Sequence, residues 1–175
     1  MFRQFEDVVL PHLDAAFNYA RWLTKNDADA QDVVQDACVR ALRFFSSLRD
    51  DDARAWLMTI VRNTWYSRFS GHGGSEPSVA FDEMRDHRTD KGLDPEALML
   101  QRHAVDTVRR AIEELPDDFR EVIVLRELEG MSYKDMAAVV GIPMGTVMSR
   151  LARGRERLLM ILGSSAMMEG HRDVS

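Results

Sequence analysis

Disulfide chemistry is the first thing that this chain lacks, because its 175 residues include one cysteine. An internal disulfide framework is therefore excluded. Cys38 lies on the apolar face of a predicted helix, and a thiol without exposure or a cationic neighbour is inert. We expect Cys38 to pack in a core and to have no redox or metal role.

A long apolar run is also missing. No stretch approaches the roughly 20 consecutive apolar residues that a membrane-spanning helix needs. The acidic Glu6 and Asp7 near the first residue differ from the basic head of a secretion signal. We therefore expect a cytoplasmic protein without membrane insertion.

Basic charge is in deficit, with 23 Lys and Arg against 29 Asp and Glu and a formal net charge of -6. The deficit is uneven along the chain. Residues 1–70 carry 9 basic and 10 acidic groups, residues 71–129 carry 8 and 15, and residues 130–175 carry 6 and 4. General affinity for nucleic acid should be weak, because phosphate attraction depends on the cations that a surface presents. Any DNA binding must be confined to a local basic face.

Recognisable catalytic and metal-binding patterns are absent too. His72 and His87 have no partners at metal-ligand spacing, so we expect them to be solvated. Three consecutive acids, Asp50 to Asp52, have no second ligand cluster and resemble capping or solvent-facing groups more than a cation site. The sequence predicts no enzyme, no cofactor and no metal.

What the chain does contain is amphipathic helix, and we predict an all-α protein of two small helical domains joined by a flexible linker. Residues 1–69 should hold three helices: one that includes Pro11 in its first turn, one from about Ala30 to Phe45, and one from about Ala53 to Phe69. The apolar face predicted for the second helix consists of Val33, Val34, Ala37, Cys38, Ala41, Leu42 and Phe45.

Periodicity is lost over residues 70–93, which are polar and contain glycine, and we interpret them as a flexible acidic linker. Asp94 and Pro95 then predict a new helix start, with the aspartate as its cap. Residues 94–162 should form a second domain of four helices, and residues 163–175 a frayed tail.

Residues 117–159 have the pattern of a helix-turn-helix. A first helix, about Asp117 to Glu129, should end at Gly130 in a left-handed conformation. Ser132 and Asp135 form a capping-box-like pair before a short helix that ends at Gly141. The helix that follows Pro143 presents a cationic outer face, and such a helix fits the DNA major groove. Its polar face carries Ser149, Arg150, Arg153, Arg155 and Arg157.

Two long motifs, in order, resemble the extracytoplasmic-function (group 4) sigma factors of bacterial RNA polymerase. DADAQDVVQDACVRALRFFSSL and ARAWLMTIVRNTWYSRF are similar to conserved region 2, and AIEELPDDFREVIVLRELEGMSYKDMAAVVGIPMGTVMSRLARGRERL to region 4. The resemblance implies a subunit that gives the core polymerase promoter specificity, in a stress or envelope response, under the control of an anti-sigma factor.

The resemblance also implies three sets of binding residues. The polar face of the second region 2 helix should bind core polymerase through Asp32, Gln35, Asp36 and Arg40. The third helix and its preceding loop should recognise and open the minus-10 element through Leu48, Arg54, Arg62, Asn63, Trp65, Tyr66 and Arg68. The recognition helix should bind the minus-35 element through Ser149, Arg150 and Arg153, with Arg155 and Arg157 nearer the phosphates.

Some positions differ from the family pattern. Leu48 stands where phenylalanine is frequent, and Met148 where a polar or basic residue is common. Asp50, Asp51 and Asp52 would repel phosphate, so they turn away, cap the next helix or change which base is accepted. Trp56 is spaced with Ile60 for a core position rather than for DNA.

One other class of function fits the helix-turn-helix. A dimeric transcription regulator that acts without polymerase would need residues 1–69 as a sensing or dimerising module. It would bind palindromic half-sites tightly on its own. The first half lacks the alternating strands and helices of a receiver domain, which favours the sigma factor.

Overall fold

A computed structural model describes residues 2–49, 52–69, 92 and 94–170. The linker predicted at 70–93 lies outside the described residues except for Gly92, as do Asp50 and Asp51. The described residues form α-helices with short 3-10 and π segments and no strand, which confirms the all-α prediction. The helices are α1 (Phe2–Val9), α2 (Leu13–Thr24), α3 (Asp27–Phe44), α4 (Ala53–Phe69), α5 (Pro95–Glu113), α6 (Asp117–Ile123), α7 (Tyr133–Val140) and α8 (Met144–Gly170).

Helices α1 to α4 form the first bundle, in which α2, α3 and α4 pack on one another. The core of this bundle alternates small and large side chains, so that the helices approach closely around a few large groups. Helix α1 was not predicted. Its Phe5 packs edge-on against Phe45 with 5.4 Å between ring centroids, which closes one end of the bundle. The fully buried residues include Val9, Ala16, Tyr19, Ala20, Ala30, Val33, Ala37, Ala41, Leu57, Met58 and Val61.

The boundaries of α2 and α3 differ from the prediction for a local reason. Pro11 lies in a 3-10 turn, Leu10–His12, between α1 and α2. Lys25 adopts a left-handed conformation with φ of 56° and ends α2. Asn26 Oδ1 accepts a hydrogen bond of 3.1 Å from the Asp29 backbone N–H, so that α3 begins at Asp27 and not near Ala30.

Two capping details also need correction or refinement. Asp94 precedes α5 as predicted, but its side chain makes no capping hydrogen bond. Asp52, by contrast, accepts a hydrogen bond of 3.0 Å from the Ala55 backbone N–H. Of the roles open to the acidic loop, Asp52 therefore has that of a helix cap.

Helices α5 to α8 form the second bundle, and its helix-turn-helix follows the predicted local signals. Gly130 and Gly141 have φ of 63° and 72°, the left-handed region that glycine adopts without strain. Ser132 Oγ accepts from the Asp135 backbone N–H at 3.1 Å and starts α7. The first helix of this unit continues beyond α6 as a π-helical segment, Val124–Leu128.

Helix α8 is longer than expected, because it runs to Gly170, past residue 162 where the second domain was predicted to end. Residues 163–170 are therefore helical and not a frayed tail, while residues 171–175 lie outside the described residues. The hydroxyls of Ser164 and Ser165 bond to carbonyls one turn earlier, which keeps these serines compatible with a helix.

Arg120 holds the corner between α5 and α6. Its buried guanidinium donates to the carbonyls of Ile112, Glu113 and Leu115 at 3.4, 3.0 and 2.6 Å, and pairs with Asp117 at 2.8 Å. The carbonyls of Glu113 and Leu115 lie at and just beyond the end of α5, where carbonyls lack partners within the helix. The Ile112 carbonyl also accepts from the Leu115 backbone N–H at 3.1 Å. The corner sets the direction of α6, on which the recognition helix rests.

We predict that Arg120→Ala lowers the free energy of unfolding by about 2–4 kcal/mol, because several buried carbonyls lose a charged donor. Urea unfolding followed by circular dichroism measures this loss. Arg102→Ala, which removes an exposed arginine from α5, is the control and should change stability by less than about 0.5 kcal/mol. Equal losses in the two variants would contradict the role given to Arg120.

Gly154 sets the distance between α8 and α6. A Cβ atom at this position would lie 3.1 Å from Ile123 Cγ1 and 3.4 Å from Phe119 Cβ. Because glycine has only a hydrogen atom in place of a side chain, α8 can pack closely against α6. Val147 and Leu151 of α8 are also buried. The opposite face of α8 faces solvent.

We predict that Gly154→Val destabilises the protein by about 1–3 kcal/mol through overpacking. Gly163→Val is the matched control on the same helix, because nothing lies within 4 Å of a Cβ atom there. Its effect should be near zero, since valine and glycine differ little in helix propensity. Thermal unfolding compares the two, and a Gly154→Val protein as stable as the control would refute the close packing.

Candidate nucleic-acid interface

Helix α4 carries most of the residues predicted for the minus-10 element. Some of them are exposed to solvent, and others lie against the core or the second bundle. Asn63, Tyr66 and Arg68 are exposed, and Trp65 is half-buried against the core. Trp56 also packs against the core, as its spacing predicted. Leu48 is half-buried before α4. The predicted residues that are exposed on α4 therefore offer one amide, one phenol and one guanidinium.

Trp65 and Tyr66 form an aromatic pair on α4. Their ring centroids are 4.6 Å apart and their planes are inclined at 72°. The Arg62 guanidinium lies over the Tyr66 ring, 4.5 Å from its centroid, and donates to the Tyr66 hydroxyl at 3.2 Å. Planar faces beside cations are the groups on which unstacked bases rest in single-strand binding.

Arg62 itself is bound by an acid of the second bundle. Its Nε donates to Glu121 Oε1 at 2.6 Å, and its Nη2 lies 3.3 Å from Glu121 Oε2. The Tyr19 hydroxyl donates to the same Oε1 at 2.5 Å. The Glu121 side chain is 6% exposed, so a carboxylate buried between the bundles has two donors from α2 and α4.

Arg54 makes the second pair across the bundles. Its Nη2 donates to Glu129 Oε2 at 2.8 Å and also to the Glu129 backbone carbonyl. The Glu129 side chain is 9% exposed. Helix α4 also packs along α7 in this region. Two cations predicted for DNA are thus held by carboxylates in the described conformation.

Burial between the bundles contributes to shifts in the pKa of three side chains. Desolvation raises the pKa of Tyr19 well above its ordinary value, and the neighbouring Glu121 carboxylate raises it further, so the phenol remains a donor. Burial would lower the pKa of Arg62, but the hydrogen bond and charge of Glu121 outweigh it and the net shift is upward. Desolvation raises the pKa of Glu129, against the opposing hydrogen bond from Arg54.

The residues predicted for core polymerase lie together on α3. Asp32, Gln35 and Asp36 are exposed, and Arg40 is half-buried. Asp36 Oδ2 accepts from Arg68 Nη1 at 2.8 Å, and Asp32 Oδ2 lies 3.8 Å from Arg68 Nη2. A guanidinium predicted for DNA therefore lies between two carboxylates predicted for polymerase.

Large apolar side chains extend this face of α3, and the sequence reasoning missed them. Val39 is 50% exposed and Phe44 59% exposed. Leu42, which was predicted to face the core, is 38% exposed, because Ala41 and not Leu42 points into the bundle. Exposed apolar residues beside a polar face are typical of a protein interface. The sequence did contain a signal for this surface, because Val39 and Phe44 are apolar but lie off the apolar face predicted for this helix.

The predicted minus-35 residues lie on the outer face of α8. Ser149, Arg153, Arg155 and Arg157 are exposed, whereas Arg150 is half-buried with Nη2 3.3 Å from Asp118 Oδ2. Ser149 Oγ donates to the Thr146 carbonyl at 3.1 Å. Among the described residues, neither Arg153 nor Arg157 has an ion pair. These two guanidinia are available to a ligand.

Arg155 differs from its neighbours, because it pairs with Glu127 through Nη2 at 2.6 Å and Nε at 2.8 Å. The hydrogen bond from Glu127 raises the pKa of Arg155. Met144 and Met148 are also exposed near the start of α8, so this end of the predicted recognition surface is apolar.

The sequence reasoning did not predict that Glu121 would bind Arg62 or that Glu129 would bind Arg54. Glu121 comes directly before an apolar run, Val122 to Leu125, in a helix whose predicted stripe included Leu128. Leu128 is in fact 50% exposed, whereas Glu121 is buried. A lone acid within an apolar stripe was the signal that could have indicated a buried ion pair.

The described helices include none with the length and apolar character needed to cross a lipid bilayer. Within the same part of the chain, no three His, Cys, Asp or Glu side chains are grouped to hold a metal ion. Burial raises the pKa of the half-buried Cys38 thiol, which disfavours the reactive thiolate.

Two family models match the chain. "Sigma-70 region 2" matches residues 8–74, and "Sigma-70, region 4" matches residues 106–158. The ECF RNA polymerase sigma-E factor of Escherichia coli K12 is 39% identical over 137 residues, which cover 74% of this chain and 72% of that protein. The RNA polymerase sigma-H factor of Pseudomonas aeruginosa PAO1 is 34% identical over 163 residues, covering 89% and 84%.

Solved structures agree with these relatives. The sigma factor RpoE of Bartonella quintana, in complex with the anti-sigma factor NepR, superposes with a TM-score of 0.75 and 29% identity. The match covers 92% of this chain and 98% of that one. CnrH, in complex with the cytosolic domain of CnrY, gives a TM-score of 0.64 at 29% identity and covers 94% of this chain and 90% of its own.

The predicted resemblance is thus confirmed over both bundles, and nothing in these likenesses favours a dimeric regulator. The two region matches lie in the expected order, each on its own helical bundle. The chain belongs to the extracytoplasmic-function family of RNA polymerase sigma factors.

Proposed function

We propose that this chain is a dissociable subunit that directs bacterial core RNA polymerase to promoter DNA and helps to open it, without catalysing a reaction of its own. The observation that carries the proposal is the pairing of the two region matches with two helical surfaces. One is the aromatic and basic face of α4, and the other is the basic face of α8. We assign residues 1–69 to region 2, 70–93 to the linker, 94–162 to region 4 and 163–175 to a tail whose residues 163–170 continue α8.

The polymerase contact is assigned to α3. Its exposed carboxylates and amide suit a basic partner surface, because complementary charge orients and accelerates association. The apolar Val39 and Phe44 would supply the desolvated centre of this contact. The polar residues proposed to bind polymerase are Asp32, Gln35, Asp36 and Arg40.

The minus-10 contact is assigned to α4 and the residues before it. The amide of Asn63 can donate to and accept from the edge of an unpaired base. Trp65 and Tyr66 provide aromatic surface, and stacking contributes about 1–3 kcal/mol per base. Cations follow the backbone and stabilise the separated strand. The residues proposed for this contact are Leu48, Arg54, Arg62, Asn63, Trp65, Tyr66 and Arg68.

The minus-35 contact is assigned to the outer face of α8. A helix fits the major groove, where an arginine can pair with two acceptors of one guanine. Ser149, Arg150 and Arg153 are proposed to contact bases, with Arg150 leaving Asp118 to do so. Arg155 and Arg157 are proposed to contact phosphates. Met148 adds an apolar contact at a position where relatives often have a polar one.

Regulation by an anti-sigma factor is proposed from the solved structure of RpoE, which is in complex with the anti-sigma factor NepR. CnrH is likewise in complex with another protein, the cytosolic domain of CnrY. Such a partner would cover the surfaces that polymerase and DNA need. A cytoplasmic location and a role in a stress or envelope response are proposed on the same ground.

The proposal is tested by run-off transcription with purified chain and core polymerase on a library of promoter fragments. Transcripts from a subset of fragments, which require both components, are the expected result. A chain that fails to bind core polymerase yet protects palindromic sites as a dimer would refute the proposal.

We predict that Arg153→Ala and Arg157→Ala weaken promoter binding in different ways. Loss of Arg153 should remove about 1–3 kcal/mol of discrimination at one minus-35 position, because a base contact is lost. Loss of Arg157 should weaken binding to all promoters alike and reduce the salt slope by about 1. Gel shifts of holoenzyme on promoter variants distinguish the two effects.

Arg102→Ala on α5 is the control for the loss of one exposed charge. All three variants should bind core polymerase as the wild type does. If Arg153→Ala holoenzyme discriminates between minus-35 variants as well as the wild type, the base contact is assigned to the wrong residue.

A further inference from the structure

The first turns of α8 combine exposed apolar side chains with a shortage of charge. Met144 and Met148 are 50% and 51% exposed. Arg150 is the only charged residue between positions 144 and 152, and it is half-buried beside Asp118. In DNA-bound helix-turn-helix proteins the N-terminal residues of the recognition helix contact the base edges. The corresponding part of α8 is therefore largely apolar.

Helix periodicity places the two methionines beside the polar contacts already assigned to α8. Residues four apart lie on one side of a helix, and two such rows are exposed here. The first row consists of Met144, Met148 and Ala152. The second row consists of Gly145, Ser149 and Arg153. Because the two rows adjoin, a groove that receives Ser149 and Arg153 also receives Met148.

We infer that Met148 reads the C5-methyl group of a thymine in the minus-35 element, so that one position of the element prefers a T·A pair. This inference rests on the proposed contact between α8 and the major groove. It adds a base preference that depends on an apolar contact and not on a hydrogen bond.

The chemistry of the base edges favours thymine at this position. Thymine alone among the four bases has a methyl group in the major groove, where the other bases present hydrogen-bonding groups alone. The Met148 thioether has no donor and is a weak acceptor, so it cannot replace the water that those groups bind. Covering a polar group without a hydrogen bond is unfavourable, whereas covering a methyl group is favourable. Both effects select thymine.

Two arginines near Met148 are held in ion pairs. Arg150 Nη2 lies 3.3 Å from Asp118 Oδ2, and Arg155 binds Glu127 through two nitrogens at 2.6 and 2.8 Å. Each would have to leave its carboxylate before it could contact the base that faces Met148. An apolar contact at this base needs no such exchange.

Ser149 is the polar neighbour that follows Met148 directly. Its Oγ donates to the Thr146 carbonyl at 3.1 Å, which leaves the hydroxyl only acceptor capacity for a base. Methionine, by contrast, has an unbranched side chain that adapts to a neighbouring apolar group. Since burial of one methyl group strengthens binding about fourfold, we expect an effect of that size from a single thymine.

The test replaces thymine by deoxyuridine, which pairs with adenine in the same way and lacks only the methyl group. A fragment that the run-off assay finds active supplies a fixed minus-10 region, and roughly ten base pairs upstream, about one turn of DNA, are randomised. Wild-type holoenzyme selects the duplexes that it binds. Each thymine of the selected sequence is then replaced singly by deoxyuridine, and gel shifts measure the affinity of holoenzyme for each duplex.

The expected result is that one replacement weakens binding of the wild-type holoenzyme about fourfold. Holoenzyme with Met148→Ala should bind the thymine and deoxyuridine duplexes alike. In a repeated selection, Met148→Arg should replace the preference for thymine by one for guanine, because arginine pairs with two acceptors of guanine.

Met167→Ala is the matched control. Met167 is 81% exposed on the same helix, and it lies about 28 Å further along α8 than Met148. This variant should keep the wild-type dependence on the methyl group. Circular dichroism confirms that each variant is folded, so a loss of binding by unfolding is recognised.

Three results would overturn the inference and leave the proposed function intact. The wild-type holoenzyme could bind every deoxyuridine duplex as tightly as the thymine duplex. Met148→Ala could retain the dependence on the methyl group, which would assign the contact to another residue. Met148→Ala could instead weaken binding to core polymerase without changing base selection, which would assign the side chain to a protein contact. If no fragment is transcribed, the proposed function fails and the inference fails with it.

Discussion

The buried carboxylate of Glu121 is the point on which the arrangement of the two bundles depends. It accepts from Tyr19 of α2 and Arg62 of α4, so that three helices meet at one anion. A buried charge without partners costs several kcal/mol, and removing one partner of a buried pair typically costs about 3–5 kcal/mol. The chain can therefore satisfy Glu121 in two ways: by keeping the bundles together or by exposing the carboxylate to water.

This constraint explains how an acidic chain can serve as a DNA-binding subunit. The net charge of -6 opposes general attraction to nucleic acid, and two arginines of α4 are neutralised within the chain. Arg153 and Arg157 of α8 stay exposed, but two cations alone hold duplex DNA weakly at physiological salt. On the proposed assignment, promoter binding then requires both surfaces at once.

Local structure was predictable from the sequence, because its signals are local. The bounds of α4, the left-handed glycines Gly130 and Gly141, and the Ser132 cap each depend on a few neighbouring residues. Helix α1 and the extension of α8 were missed, since ordinary helix formers leave little pattern. The early start of α3 was missed although Asn26 is a capping residue and supplied a signal. The pairs of Glu121 with Arg62 and Tyr19 join residues 59 and 102 positions apart. No periodicity encodes such a contact, so the predicted minus-10 residues could be named but not their closure.

The most direct test of this account is the distance between the bundles in the free chain and in the holoenzyme. Spin labels at Asp14→Cys and Ala166→Cys, both exposed positions, in a Cys38→Ser background would report it by double electron–electron resonance. The account predicts a short, narrow distance distribution in the free chain and a longer one once core polymerase is bound. The same distribution in both states would contradict it.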